Sequence, residues 1–298
     1  MKEYRAKYAM KQEDLAKLVG VRRETIGNLE KGRYNPSLVL AWNIAKVFRV
    51  SIEDIDVYKR QVDVARLPAL EGVIDVIYNP DRTPLVLAAQ KRGLSAAGGL
   101  WMLVMQAVLA AEKFLGKPVD TERAADIYAA LRAERLNIVL TGMPGSGKTT
   151  LGRALAEALH RPFVDCDAEI ERAAGMPIPE IFRTQGEAAF RAIESEIIAR
   201  FGKESGQVVA TGGGAPLREE NAVALRQNGV VLRILRPVEL LATAGRPLSV
   251  GGLEALRRME AERAPFYDSC ADARVDNSDR VEQAVDSALR AFRELARA

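Results

Sequence analysis

Apolar residues in the first fifty positions recur three and four apart: Leu15, Leu18 and Val19, then Ile26 and Leu29, then Leu38, Leu40, Ile44 and Val47, with polar residues between them. That period is helical and predicts several short helices packed on one another. "LVGVRRETIGNLEKG" places Gly20 in a tight turn between two of them. The pattern stops at "DVYKRQVDVARLPAL", where neither a helical nor a strand period carries through, and this sets a boundary near residue 60. It resumes over residues 73 to 115 as a strand, a turn at Asn79 and Pro80, a helix, a break at Gly98 and Gly99, and a second helix. Another helix is expected over "TERAADIYAALRAER" from Thr121. A buried strand, Ile138 to Leu140, then meets a glycine-rich loop and a helix with apolar spacing at Leu151, Leu155 and Leu159. "FVDCDAEIE" reads as a short strand ending in Asp165 and Asp167, with Cys166 between them turned to the core. The apolar run "GQVVA" ends in three consecutive glycines, Gly212 to Gly214. Glycine loses the most chain entropy on folding, so three in a row past a strand imply a close approach to the backbone.

Composition narrows the class. A chain of 298 residues, 48% hydrophobic and 28% charged, has room for about two domains and the balance of a soluble globular protein. Two distant cysteines, Cys166 and Cys270, with no CxxC pair, fit reduced thiols in a cytoplasm better than a disulfide framework or a zinc site. The charged N-terminus predicts no signal peptide. The longest uncharged window, Gly93 to Ala111, is broken by Gly98, Gly99 and Gln106 and reads as a buried helix instead of a membrane span. Residues 1 to 60 hold thirteen Lys and Arg against eight Asp and Glu, whereas the whole chain is only +3. A basic excess confined to one end suits a polyanion partner and equally a solvated helical surface.

The stretch around Gly20, with "KGRYNPSLVLAWNIAKVFRVSIEDI" after it, resembles the phage-repressor family of helix-turn-helix proteins. The resemblance implies an all-α DNA-binding domain over residues 1–56, able to act as a dimer. On it Arg22, Arg23, Thr25, Asn28 and Lys31 face DNA, and Gln12, at the start of the preceding helix, holds a phosphate. Arg22 stands where a recognition helix is commonly capped by Ser or Thr, and an arginine cannot cap.

Residues 57–72 form a junction, and "DVYKRQ", residues 56–61 at its start, has the look of a scar joining segments of different genes. Residues 73–116 resemble the C-terminal end of shikimate dehydrogenase through "VIYNPDRTPL" and "GLWMLVMQA". By that resemblance Tyr78 and Gln106 match substrate-site positions and Met102 a position near a nicotinamide. No GxGxxG fingerprint and no substrate domain precede them, so hydride transfer is not expected. The segment is expected as a remnant or packing module, with Tyr78, Met102 and Gln106 as packing residues. Residues 117–135 are expected as a linker helix.

The loop is GxxxxGKT, Gly142 to Thr149, in the order strand, loop, helix. This context predicts a nucleotide site. Gly142, Gly145, Ser146, Gly147, Lys148, Thr149 and Thr150 wrap phosphates with backbone N–H groups and the helix N-terminus. Lys148 reaches the β and γ oxygens, and the Thr149 hydroxyl ligates Mg²⁺. Asp165 is placed to hold the same ion through water, and Asp167 to meet a substrate hydroxyl. Arg191 stands three residues before Glu194, which orients its guanidinium. "GRPL" and "ERAPFYDSC" add Arg246 and Arg263. His160, the only histidine, is expected at the C-terminal end of the loop helix.

Together these stretches resemble the shikimate kinase family over residues 137 to about 290. The resemblance implies an α/β P-loop domain over 136–298 with a parallel five-stranded sheet. It also implies transfer of the γ-phosphoryl of ATP, with Mg²⁺, to the 3-hydroxyl of shikimate. Asp167 then binds ring hydroxyls and shares the catalysis with Lys148 and the lid residue Arg246. Arg191 and Arg263 clamp the carboxylate, and Gly213 and Gly214 face the ring. "ELLATAG" lacks the arginine the family commonly carries against the base, which leaves Asn277 and Ser278 as the nearest adenine candidates. Two other functions remain open: a transcription regulator whose kinase-like domain senses an aromatic acyl-CoA, and another small-molecule kinase of the P-loop class.

Overall fold

The computed structural model describes residues 2–31, 38–48, 50, 63–241 and 252–297. The junction peptide at 56–61 and the lid residues Gly245, Arg246 and Gly251 lie outside the described residues. The chain divides into two compact units, residues 1–66 and 67–298.

The first unit holds α1 (Lys2–Lys7), α2 (Gln12–Val19), α3 (Arg23–Glu30) and α4 (Leu38–Phe48). Its core is the predicted apolar set: Leu15, Val19, Ile26, Leu29, Leu40 and Ile44 are buried, and Phe48 joins them. Leu18 departs from the expectation and is exposed. Gly20 ends α2 in the left-handed conformation, φ 72°, and so sets the turn into α3. Arg22 is the N-cap of α3 and makes no side-chain cap.

The second unit opens with β1 (Gly72–Ile74), α5 (Pro84–Lys91), β2 (Ser95–Ala97), α6 (Leu100–Leu115) and α7 (Thr121–Arg135). Strands β1 and β2 pair in parallel as a separate two-stranded sheet. There follow β3 (Asn137–Thr141), α8 (Lys148–Leu159), β4 (Phe163–Asp165), α9 (Cys166–Ala174), α10 (Ile178–Thr184) and α11 (Gly186–Phe201). The unit closes with β5 (Val208–Ala210), α12 (Glu219–Gln227), β6 (Gly229–Leu235), α13 (Gly252–Cys270), β7 (Ala273–Asp276) and α14 (Val281–Arg297). Five of these strands form one parallel sheet in the order β4-β5-β3-β6-β7. Alternation along the strands makes two cores. Ile138, Leu140, Val208, Leu232 and Val275 face Leu151, Leu155 and Phe292 of α8 and α14. Val139, Val209 and Val231 face Cys166, Ile170, Phe190 and Ile198 of α9 and α11. A parallel sheet covered on both faces reads as near-continuous apolar strands, which β3 and β6 are.

Residues 67–135 belong to this unit. Arg82 pairs with Asp272 at 2.8 Å and also donates to the carbonyls of Arg226 and Gly229. Asp272 in turn accepts from the N–H of Val231 at 2.9 Å. Arg132 of α7 pairs with Asp81 at 3.2 Å and donates to the carbonyl of Ala296 on α14. Helix α7 is thus fastened at both sides instead of linking freely. The expectation of α6 as a buried helix fails: only Leu100, Val104 and Val108 are buried, while Trp101, Met102, Leu109 and Phe114 are exposed. Tyr78, Met102 and Gln106 are likewise exposed and pack no core, because the anchoring runs through Asp81 and Arg82 instead. Among the described residues no helix is long and apolar enough to cross a membrane.

Burial raises the carboxyl pKa of Asp272, and the bond and charge of Arg82, the Val231 N–H and the charge of Arg226 together override it, leaving the group below its usual range. Removing one partner of such a pair leaves an uncompensated charge inside, so Arg82→Ala should lower the unfolding free energy of this unit by about 3–5 kcal/mol in urea titrations. A depressed native pKa means this contribution is complete above the usual aspartate value of about 3.9 and is lost as pH falls through the native value. The difference between wild type and Arg82→Ala should therefore shrink in strong acid.

Candidate active site

The carboxyl end of β3, buried along its whole length, delivers the chain into the glycine loop. Gly142, Gly145 and Gly147 have φ of 140°, 87° and 90°, where a Cβ is strained. A Cβ on Gly142 would stand 2.6 Å from the carbonyl of Ile234, and one on Gly147 would overlap Asn277 Nδ2. Gly145 and Ser146 are buried within the loop, and Ser146 Oγ has no hydrogen-bond partner among the described residues. Lys148 is the first residue of α8, and its Nζ donates to the carbonyls of Gly142 and Met143 at 3.0 and 2.9 Å. The ammonium is thereby held across the loop mouth. Thr149 and Thr150 are exposed beside it. His160 ends α8 as a left-handed C-cap, φ 53°.

Thr149 Oγ1 donates to Asp165 Oδ2 at 2.9 Å, bringing two hard oxygen donors together at the start of α8. Such donors suit Mg²⁺, which is bound through one or two protein oxygens and substrate phosphates. One correction concerns the aspartates. Strand β4 stops at Asp165, which caps α9 by accepting from Asp167 N at 3.1 Å, so Asp167 lies in the first helical turn and not on the strand. An aspartate at a helix start satisfies free N–H groups and breaks the strand there. Cys166 is buried as expected, and its thiol pKa is raised by burial and the neighbouring carboxylates.

The three glycines after β5 gather the remaining residues. A Cβ on Gly212 would stand 2.8 Å from Asp167 Oδ1 and 3.1 Å from Glu194 Oε1. One on Gly213 would meet the ring of Pro144 in the glycine loop at 2.8 Å, and one on Gly214 would meet Arg191 Nη1 at 2.5 Å. Arg191 pairs with Glu194 at 2.7 Å, and the Glu194 side chain is only 1% exposed. Burial raises the Glu194 pKa, with the Arg191 bond opposing; burial also works to lower that of Arg191, but the bonds and charges of Glu194 and Glu187 together leave it raised. From α13, Arg263 Nη1 and Tyr267 Oη donate to the carbonyl of Gly213 at 3.3 and 2.6 Å. The sequence reading missed Tyr267. Tyr267 follows Arg263 by four residues on one helix, which places both on one face. Asn277 also differs from expectation: it is buried and donates to the Ser146 carbonyl at 2.7 Å, bracing the loop from behind. Ser278 bonds to Asp276.

In the first unit, Arg22, Arg23, Asn28 and Lys31 are exposed on and around α3 and Thr25 is half-buried. The Gln12 amide donates to Glu30 at 2.6 Å, a carboxylate also paired with Arg5.

A glycine loop between a buried parallel strand and a helix, carrying a lysine across its mouth and a Thr–Asp pair beside it, is the nucleotide site of a P-loop kinase. The model of the family "Shikimate kinase" matches residues 144–293. The shikimate kinase of Symbiobacterium thermophilum is 46% identical over 149 residues, spanning 47% of this chain and 86% of that protein. The shikimate kinase of Caldanaerobacter subterraneus subsp. tengcongensis is 41% identical over 164 residues, spanning 52% and 95%. A solved shikimate kinase from Acinetobacter baumannii in complex with shikimate superposes with a TM-score of 0.51 at 35% identity, covering 56% of this chain and 96% of that one. The chain belongs to the shikimate kinase family. A helix-turn-helix family model matches residues 1–55.

Gly214→Ala leaves φ unstrained but presses its Cβ on the Arg191 guanidinium and so strains the pair with buried Glu194. The expected result is clearly weakened carboxylate-substrate binding by calorimetry, with a thermal midpoint lowered by about 2–4 °C for each kcal/mol the pair loses. Gly147→Ala, forced against both φ and Asn277, should lower stability and nucleotide binding together.

Proposed function

We propose that the chain transfers the γ-phosphoryl group of MgATP to the 3-hydroxyl of shikimate. The observation that carries this is the convergence of Asp167, Arg191 and Arg263 on the glycine floor 212–214, directly against Pro144 of the nucleotide loop. A flat hydroxy acid needs a cationic clamp for its carboxylate and a wall without side chains for its ring. Arg191 and Arg263 supply the first, Gly213 and Gly214 the second. The family membership and the shikimate-bound relative support the same substrate.

In this reading the loop N–H groups and Lys148 hold the β and γ phosphates, and Thr149 and Asp165 would hold Mg²⁺, whose charge would offset that of the phosphates. Asp167 orients the acceptor hydroxyl for in-line attack and accepts its proton. Arg246, outside the described residues, closes over the transferring group in this proposal. Binding and alignment supply most of the rate, since little covalent chemistry falls to the protein.

The N-terminal unit is proposed to bind DNA through Arg22, Arg23, Thr25, Asn28 and Lys31, as a dimer on a two-fold operator. This rests on the helix-turn-helix match and the exposed cations of α3. Gln12, whose amide is engaged by Glu30, would reach a phosphate only by leaving that partner. Residues 73–116 are read as a dehydrogenase remnant without hydride-transfer activity, and a cytoplasmic location is proposed for the whole.

Full-length protein given MgATP should release ADP only when shikimate is present, and Lys148→Ala should abolish that release. Shikimate-independent hydrolysis, or binding without turnover, would turn the reading toward a sensor domain serving the DNA-binding unit. Arg191→Ala removes charge-assisted bonds worth roughly 1.5–3 kcal/mol each. The KM for shikimate should therefore rise on the order of ten- to a hundred-fold while that for ATP moves little. An equal rise in both would count against the clamp.

A further inference from the structure

Strands β6 and β7 run parallel in register, Leu235 beside Asp276, so the next residues of each, Arg236 and Asn277, emerge together at the carboxyl end of the sheet. Asn277 is fully engaged there, its N–H on the Leu235 carbonyl at 2.9 Å and its amide on Ser146. Arg236 is not. Its Nη1 lies 3.6 Å from the position a Cβ on Gly147 would take, and its Nε is buried with no hydrogen-bond partner among the described residues. A buried guanidinium nitrogen left unbonded carries a desolvation cost, and in native proteins such a group calls for a specific explanation.

The sheet order supplies one. The acceptor groups Asp165, Asp167 and Gly212 to Gly214 follow β4 and β5, on one side of β3. Strands β6 and β7 lie on the other side. A triphosphate on the glycine loop with its γ-phosphate toward the acceptor must leave on the β6–β7 side, where Arg236 stands at the last loop glycine. We propose that Arg236 is a nucleotide-recognition residue whose guanidinium donates to the phosphate nearest the nucleoside. This rests on the kinase reading for the direction of the nucleotide. A planar guanidinium fork matches phosphate oxygens in a way an ammonium matches only as a point charge.

The test measures ADP binding with Mg²⁺ to the full chain by calorimetry, for wild type, Arg236→Ala and Arg236→Lys, alongside shikimate binding and the thermal midpoint. The proposal expects ADP to bind about ten-fold or more weakly to Arg236→Ala, with partial recovery in Arg236→Lys and with shikimate binding and the midpoint unchanged. Unchanged ADP affinity overturns it. So does a loss of ADP affinity that comes with a lowered midpoint and is not recovered by lysine, since that pattern marks a prop for the loop. ADP binding is read without turnover, so an absence of shikimate phosphorylation in the wild type would overturn the substrate reading and leave this result to stand or fall separately.

Discussion

Everything at the site depends on two stretches of backbone coming within van der Waals distance of neighbouring groups that a single methyl would overlap. The glycines after β5 make room for Asp167 and Glu194, for Pro144 and for Arg191 in turn. Those after β3 make room for the Ile234 carbonyl and for Asn277. Because β3 and β5 are neighbours in register, Leu140 beside Ala210, the two glycine segments leave the sheet side by side. Contact between Pro144 and Gly213 makes the nucleotide loop and the acceptor floor one surface, so movement of either is felt by the other.

Electrostatics reinforce this geometry in a particular way. Glu194 is buried deeply enough that desolvation raises its pKa, yet it lies against a guanidinium that opposes the rise. The pair fixes Arg191 in one orientation before any substrate arrives, so less conformational entropy remains to be lost on binding. On the opposite wall, Arg233 of β6 pairs with Asp268 of α13 at 2.6 Å, one residue past Tyr267. The helix that carries Arg263 is thus fastened from the sheet, and the floor carbonyl of Gly213 receives bonds from a rigid element.

What was legible in the sequence was local. The loop glycines with Lys148, the Gly212–Gly214 run, the Arg191–Glu194 spacing and the helical period of the first fifty residues each declare themselves within a few positions. What was not legible depends on partners far along the chain or on weak local preference. Strand β2, Ser95–Ala97, is three residues of Ser and Ala, which have little strand propensity, and forms only because β1 pairs with it. Asn277 looked like a base contact by position, but its amide turns to Ser146, 131 residues earlier. Apolar content alone made α6 read as buried, although only one stripe of it meets α7 and the rest lies open.

The Arg82–Asp272 pair joins residues 190 positions apart. During synthesis the arginine leaves the ribosome long before the aspartate exists, and it meets water in the interval. The central strand β3 is in the same position, since its neighbour β6 follows almost ninety residues later. Non-local closure of this kind raises contact order and slows folding. Residues 67–135 must therefore wait, held only by their own short contacts, until nearly the whole chain has emerged, and the nascent protein presents the apolar face of α6 to solvent throughout that interval.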